Sequence, residues 1–412
     1  MVLSKKEPSV KTKATSKSWL SVLDRYSKLY CMDTGLREAA TISAATLLSS
    51  KLPGDPVWTF LVGPASTGKT VIVESFAADT DHCESVSKLT AKTLISGWKD
   101  PQDPEREVSI FPLLKGRALL IKDYTTVLTL PGGTQEELYG MLRDCYDGYV
   151  RVVYGNGKIV DFRDIYFPLL AAVTDEIKSQ NRSHLGERFL RCEILGRDHD
   201  NEGPIDAALD SSVRNATRVK LIKELGKAIS ACLDSKKFNL DKLPTLPSDT
   251  RDKIKALSQI VGFVRAFVPR DEDSLIYRPR PEGGSRVAKQ LHRMGICIAR
   301  LLDKPSIDDE VYHFLRKVGL DTVNGLSLET IQTLMRPGLI WTTNSLRDNL
   351  RLPKTQLVRR LHNLEQLGVL QRDSVPNGTY NGRDAHVWRP EDAFASLWER
   401  ADLLPKKRRF VV

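Results

Sequence analysis

Gly63, Pro64, Ala65, Ser66, Thr67, Gly68, Lys69 and Thr70 form a loop of glycine, four residues and glycine-lysine-threonine between the apolar runs VWTFLV and VIVESFA. Each residue type has a physical task there. The glycines let backbone N–H groups curl around a phosphate, Lys69 brings a positive charge to the β and γ phosphates, and Thr70 offers a hydroxyl to Mg2+. The chemistry implied is binding of a nucleoside triphosphate, ATP with Mg2+. Phosphoryl transfer also requires an acid at the metal and at the attacking water. The run GRALLIKD, from Gly116 to Asp123, reads as a strand that ends in Lys122, Asp123 and Tyr124. Asp123 is the only acid at that tip and is the candidate metal ligand and catalytic carboxylate. A one-residue register choice leaves open whether it faces the metal, with the base missing, or faces the water.

Such a loop needs a strand before it and a helix after it, because the positive end of the helix dipole adds to anion binding. Val57 to Val62 has the apolar, β-branched character of a strand, and the residues after the loop have that of a helix. Downstream, TQEELYGMLRDCYDG reads as a helix with Thr134 and Glu137 spaced as a capping box. YVRVVYGNGKIVDF then reads as two β arms around Gly155, Asn156 and Gly157, residue types suited to a tight turn. FPLLAAVT is a third buried strand. The alternation implies a mainly parallel α/β sheet.

The flanks are of other kinds. Residues up to about Lys17 read as a polar, lysine-rich arm, and Trp19 to about Leu52 as helices. From about Pro204 to Asp303 the pattern is helical and reads as a lid. After Lys304, the helix TTNSLRDNL, the turn RLP, the helix KTQLVRRLHNLEQLG, and strands VLQR and HVW around a glycine-rich loop follow the order of a winged helix. In its long helix Lys354, Gln356, Arg359, Arg360, His362 and Asn363 make a polar face suited to DNA, over a buried stripe of Leu357, Val358, Leu361, Leu364 and Leu367. Arg383 in the wing is placed to reach a phosphate or the minor groove. The expected division is 1–54, basic arm and helices; 55–203, nucleotide-binding core; 204–303, helical lid; 304–402, winged helix; 403–412, basic tail.

The chain of 412 residues carries a formal charge of +10, is 41% hydrophobic and 28% charged, and holds six scattered cysteines. That composition belongs to a folded water-soluble protein with a polyanionic partner, because each Lys or Arg that displaces a phosphate counterion adds binding free energy. No run is apolar enough to span a bilayer, no export signal opens the chain, and the cysteines lack the spacing of a zinc site. A cytoplasmic, nucleoid-associated location is expected, with the PKKRR tail serving as a solvated end or as a nuclear address.

In this order the parts resemble an AAA+ ATPase of the branch with a β-hairpin before the sensor strand, which contains the MCM-type replicative helicases. The resemblance covers about residues 55–302. It implies an AAA+ P-loop core with helical lid, ATP hydrolysis, and a homo-oligomer, a hexameric ring, acting on DNA. LLAAVT resembles the sensor strand and makes Thr174 the sensor residue. HLGERFLRCEI resembles the segment bearing the arginine finger, matching Arg188, with Arg191 as a competing finger; SRVAKQLHRMGICIARL resembles the lid helix that begins with the second sensor arginine, Arg286. The hairpin RVVYGNGKIV matches the one that holds DNA, which makes Lys158 the contact, with Arg151 nearby and Tyr154 stacking on a base or packing the hairpin. The absence of a GAFTGA-like loop between the phosphate loop and Asp123 argues against a sigma-dependent activator. The expected function is a helicase or initiator of a mobile element; a helicase loader, a transposition-type regulator and a DNA-binding transcription regulator are the alternatives.

Overall fold

Five short strands alternate their side chains between two faces and pair in parallel. They are β1 (Trp58–Val62), β2 (Cys83–Val86), β3 (Ala118–Ile121), β6 (Leu169–Val173) and β7 (Phe189–Glu193), in the spatial order β2-β3-β6-β1-β7. An antiparallel hairpin, β4 (Tyr149–Val153) and β5 (Ile159–Arg163), stands apart from the sheet between β3 and β6 in the chain. Strands β1, β3 and β6 are buried on both faces, as the near-continuous apolar runs of a covered parallel sheet require. The computed structural model describes residues 18–30, 32–96, 109–178, 188–195, 209, 215–272, 274–323, 325–380 and 383–404, with the side chains of 215, 374–380 and 383–385 excepted. The lysine-rich arm and the PKKRR tail lie outside the described residues.

On one face, Leu61, Leu120, Leu170 and Leu190 pack beneath α1 (Trp19–Tyr26), α2 (Thr34–Leu48) and α3 (Lys69–Ala77). On the other, Trp58, Phe60, Leu119, Leu169 and Phe189 pack against α4 (Gly132–Tyr146) and the hairpin, with Phe60 and Phe189 stacked at 4.0 Å. The result is the expected α/β class, a parallel-sheet P-loop core. The expected capping box at Thr134 does not form. Helix α4 starts two residues earlier, after Pro131, whose extended backbone ends the loop and whose carbonyl accepts the Gln135 N–H.

The helices after the sheet divide differently from the expected lid. Helix α5 (Asn215–Ser235) packs on α1 and α3, where Arg218 pairs with Glu74 at 2.6 Å and Gly226 lies against Ala78 so closely that a Cβ would sit 2.7 Å away. Helices α6 (Ser248–Arg265), α7 (Ser285–Leu301) and α8 (Asp309–Asp321) pack on one another, and α7 also packs on α2. Helix α8 closes the β7 edge: Asp321 accepts the Glu193 N–H at 2.8 Å and Lys317 donates to the Glu193 carbonyl at 2.8 Å. The boundary expected near residue 304 therefore cuts through a helical bundle, because amphipathic periodicity marks a helix without naming its partner.

Beyond it come α9 (Gly325–Leu334), β8 (Trp341–Thr342), α10 (Thr343–Leu350), α11 (Lys354–Gln366), β9 (Leu370–Tyr380) and β10 (Arg383–Pro390), with the antiparallel order β8-β10-β9. A Thr342–Ser345 capping box starts α10, and Arg351 ends it in the left-handed region at φ 52°. Helix α12 (Asp392–Arg400) returns to pack on α6.

Candidate nucleotide site and nucleic-acid surfaces

The loop leaves β1 at Gly63, whose N–H donates to the Val173 carbonyl of β6 at 3.3 Å. A Cβ on Gly63 would lie 2.4 Å from the Ile194 carbonyl oxygen, so the backbone approach admits only glycine. Gly68 adopts φ +90°, caps the start of α3, and is backed by Leu36 and Tyr30, each 2.9 Å from where a Cβ would stand. The Tyr30 hydroxyl donates to the Ser66 carbonyl at 3.0 Å. The segment between α1 and α2 thus braces the loop from behind, a role that periodicity alone did not reveal.

Within the loop Pro64, Ala65 and Ser66 are exposed, Thr67, Gly68 and Lys69 are buried, and Thr70 opens to solvent. The Lys69 ammonium donates to the Gly63 carbonyl at 2.5 Å and to the Pro64 carbonyl, with Thr67 Oγ1 at 3.4 Å. Burial pushes the Lys69 pKa down, while the charges of Asp175 and then Asp123 push it back up. A cation thus sits in a left-handed glycine loop at a helix N-terminus, an arrangement suited to an anion. Thr70 and Asp123 are exposed hard oxygen donors, which suits Mg2+, an ion that keeps most of its waters.

Asp123 lies two residues past the end of β3, and its Oδ1 accepts the Thr125 N–H at 2.9 Å. The Tyr124 N–H donates to the Ala172 carbonyl at 2.7 Å, which pins this tip to β6. Thr125 Oγ1 lies 3.4 Å from Thr174 Oγ1 and accepts the Thr174 N–H at 3.4 Å. Because β6 lies between β3 and β1, Thr174 stands between Asp123 and the glycine loop, where a sensor would act. The next residue, Asp175, opens a single turn of helix (Asp175–Lys178); its carboxylate is 2.8 Å from Lys178 Nζ, which also reaches Glu193 at 3.1 Å. Sequence reasoning looked for acids only at the β3 tip and passed over this one.

Arg188 immediately precedes β7, at the opposite end of the sheet. Its Nη2 is 2.9 Å from an Asp147 carboxylate oxygen, its guanidinium lies over the Tyr146 ring at 5.5 Å, and its carbonyl accepts from Gln290 at 2.7 Å. Tyr146 in turn meets Trp58, the first residue of β1, edge-on at 5.2 Å. Burial lifts the Tyr146 hydroxyl to about 12, with Asp55 adding to the rise and the charges of Arg286 and Arg188 opposing it. Arg286 lies on α7 one turn before Gln290, the residue that donates to the Arg188 carbonyl, and so shares this end of the sheet. With Trp58 level with Phe189, Arg188 is six residues of strand from Gly63, roughly 20 Å along the sheet. Arg191 lies mid-strand and buried, its N–H donating to Thr322 at 2.9 Å.

In the hairpin, Lys158 is half-exposed beside Gly157, which takes φ +79°; the Lys158 N–H donates to Asn156 Oδ1 at 3.0 Å. Arg151 stands opposite Asp161, 3.8 Å away, so its charge is partly met within the hairpin. Tyr154 is half-buried, packs on the core and donates to the Ile95 carbonyl at 3.3 Å, which favours packing over base stacking. On α11, Leu357, Leu361, Leu364 and Leu367 are buried, while Lys354, Gln356 and Arg359 are exposed. The rest of the expected polar face is half-buried and bonded within the fold. Arg360 donates to Ser327 at 3.1 Å, His362 bonds Glu365 at 3.0 Å and meets Trp388 edge-on, and Asn363 accepts from Arg270 at 2.8 Å. Arg360 is half-buried and tied to α9 through Ser327, so part of its guanidinium is engaged within the fold. The Arg383 side chain lies outside the described atoms.

No protein-family model and no curated protein matches the sequence. Among solved structures, a full-length MCM homolog from Methanopyrus kandleri is similar with a TM-score of 0.42 and 12% identity, over 72% of this chain and 57% of that one. The Aeropyrum pernix ORC1 protein in complex with DNA is similar with a TM-score of 0.26 and 16% identity, over 88% of this chain and 92% of that one. The chain thus spans little more than half the length of the MCM homolog, and neither likeness bears on what this chain binds.

Proposed function

We propose that this chain is a DNA-acting AAA+ ATPase whose active site is completed by a second copy of itself. One observation carries the reading: the Lys69 loop and the Arg188 guanidinium stand at opposite ends of the same parallel sheet. A single subunit cannot bring them together, but head-to-tail copies can, and a head-to-tail interface that closes makes a ring, here taken as a hexamer. The loop N–H groups and Lys69 hold the β and γ phosphates, and Thr70 with Asp123 would hold Mg2+, which when bound neutralises charge between those phosphates. Thr174 faces the γ-phosphate from β6. Arg188, with Arg286 beside it, exchanges Asp147 for the neighbour's γ-phosphate and neutralises charge that builds in the transition state.

Lys158 of the hairpin and the Lys354, Gln356 and Arg359 face of α11, within a winged-helix unit, meet the DNA backbone and groove, supported by the net charge of +10. The finer role is an MCM-like helicase or initiator. A loader or timing switch is the second reading, favoured by exposed Lys122 where many such ATPases carry an acid. Strand displacement separates the two, since a loader alone unwinds nothing. The test of the common reading is ATP hydrolysis with and without single-stranded DNA, followed against particle size. Turnover per subunit that rises with assembly and with DNA supports it; equal turnover by a lone subunit overturns it.

A further inference from the structure

The β3 tip leaves the site one carboxylate short, since Asp123 can serve the metal or the water but not both. The sheet order supplies another. β6 is the strand between β3 and β1, and it is tied to both tips, by the Gly63 N–H on the Val173 carbonyl at 3.3 Å and by the Tyr124 N–H on the Ala172 carbonyl at 2.7 Å. What leaves β6 must therefore enter the space between the phosphate loop and Asp123. The first two residues to do so are Thr174, linked to the Asp123 turn through Thr125 at 3.4 Å, and Asp175. The Asp175 side chain is 45% exposed, and Lys178 at 2.8 Å holds one oxygen while the short helix from Asp175 to Lys178 packs on the Thr125–Leu128 turn. Asp123, by contrast, has one oxygen fixed by the Thr125 N–H at 2.9 Å and points from the neighbouring strand.

We infer that the two acids of the hydrolytic site are divided between strands, Asp123 toward the metal and Asp175 toward the attacking water. This rests on the reading of the glycine loop as an ATP site. In the step assigned to Asp175, the water oxygen bonds to the γ-phosphorus as the bond from that phosphorus to the β–γ bridging oxygen breaks. ADP leaves with that electron pair, and the water's proton passes to the Asp175 carboxylate and from it to the released phosphate. Lys178, 2.8 Å from one Asp175 oxygen, is a positioning residue that keeps the carboxylate aimed.

The experiment compares wild type, Asp175→Asn, Asp123→Asn and Lys69→Ala for equilibrium binding of a non-hydrolysable ATP analogue with and without Mg2+, for single-turnover ATP hydrolysis, and for lifetime of the ATP-assembled particle. The inference expects Asp175→Asn to bind the analogue as wild type does, with the Mg2+ gain intact, to lose about 100-fold or more in hydrolysis, and to hold the assembled particle longer. It expects Asp123→Asn to lose the Mg2+ gain in affinity. Hydrolysis by Asp175→Asn at near wild-type rate, or loss of its nucleotide binding, overturns the inference, as does loss of the Mg2+ gain in that variant alone. If wild type and Lys69→Ala bind the analogue alike, the ATP site itself fails, and that outcome is distinct from a failure of Asp175.

Discussion

Gly68 shows what a single residue fixes here. Its φ of +90° and the 2.9 Å approach of Leu36 and Tyr30 leave no room for a side chain, so Gly68→Ala is expected to strain the loop by about 1–2 kcal/mol. ATP-analogue affinity should fall far more than the melting temperature, and calorimetry beside a binding titration checks this. On α11 the two neighbouring arginines make opposite predictions. Arg359→Ala should weaken duplex binding and lower the salt slope of log K by about 1, whereas Arg360→Ala should leave the slope unchanged and cost about 1 kcal/mol of stability. Salt titrations and denaturant melts of the two variants decide it. The loop was legible in the sequence because phosphate chemistry demands fixed spacing. Asp175, Tyr30 and the tie of Arg360 to Ser327 were not, since each depends on a neighbour distant in the chain.

Among the elements, the hairpin carries the sharpest expectation. Lys158 sits at its turn while Arg151 is paired with Asp161 on its side. Lys158→Ala should keep basal ATP hydrolysis and lose its stimulation by single-stranded DNA; Arg151→Ala should cost stimulation less. Equal stimulation of wild type and Lys158→Ala contradicts the assignment. The strands themselves were readable as apolar runs, and the hairpin as β arms around Gly155, Asn156 and Gly157. Their order was not, because parallel strands are joined by crossovers whose sequence says nothing about which strand lies alongside. For the same reason the sequence alone does not tell α5 from a lid helix. Its amphipathic stripe fits α1 and α3 as well as it would fit α6 and α7.

At the scale of the whole molecule the separation of Lys69 from Arg188 decides the account. Among the described residues no helix is long and apolar enough to cross a membrane. The central claim is that a triphosphate held by one copy is touched by Arg188 of the next. Mixing two inactive variants, Lys69→Ala and Arg188→Ala, tests it most directly by ATP hydrolysis at fixed total protein. Random assembly gives about a quarter of the interfaces an intact loop facing an intact arginine, so turnover should return toward that fraction of wild type. A mixture as inactive as its parts, or an Arg188→Ala variant that hydrolyses ATP unaided at the wild-type rate, contradicts the claim.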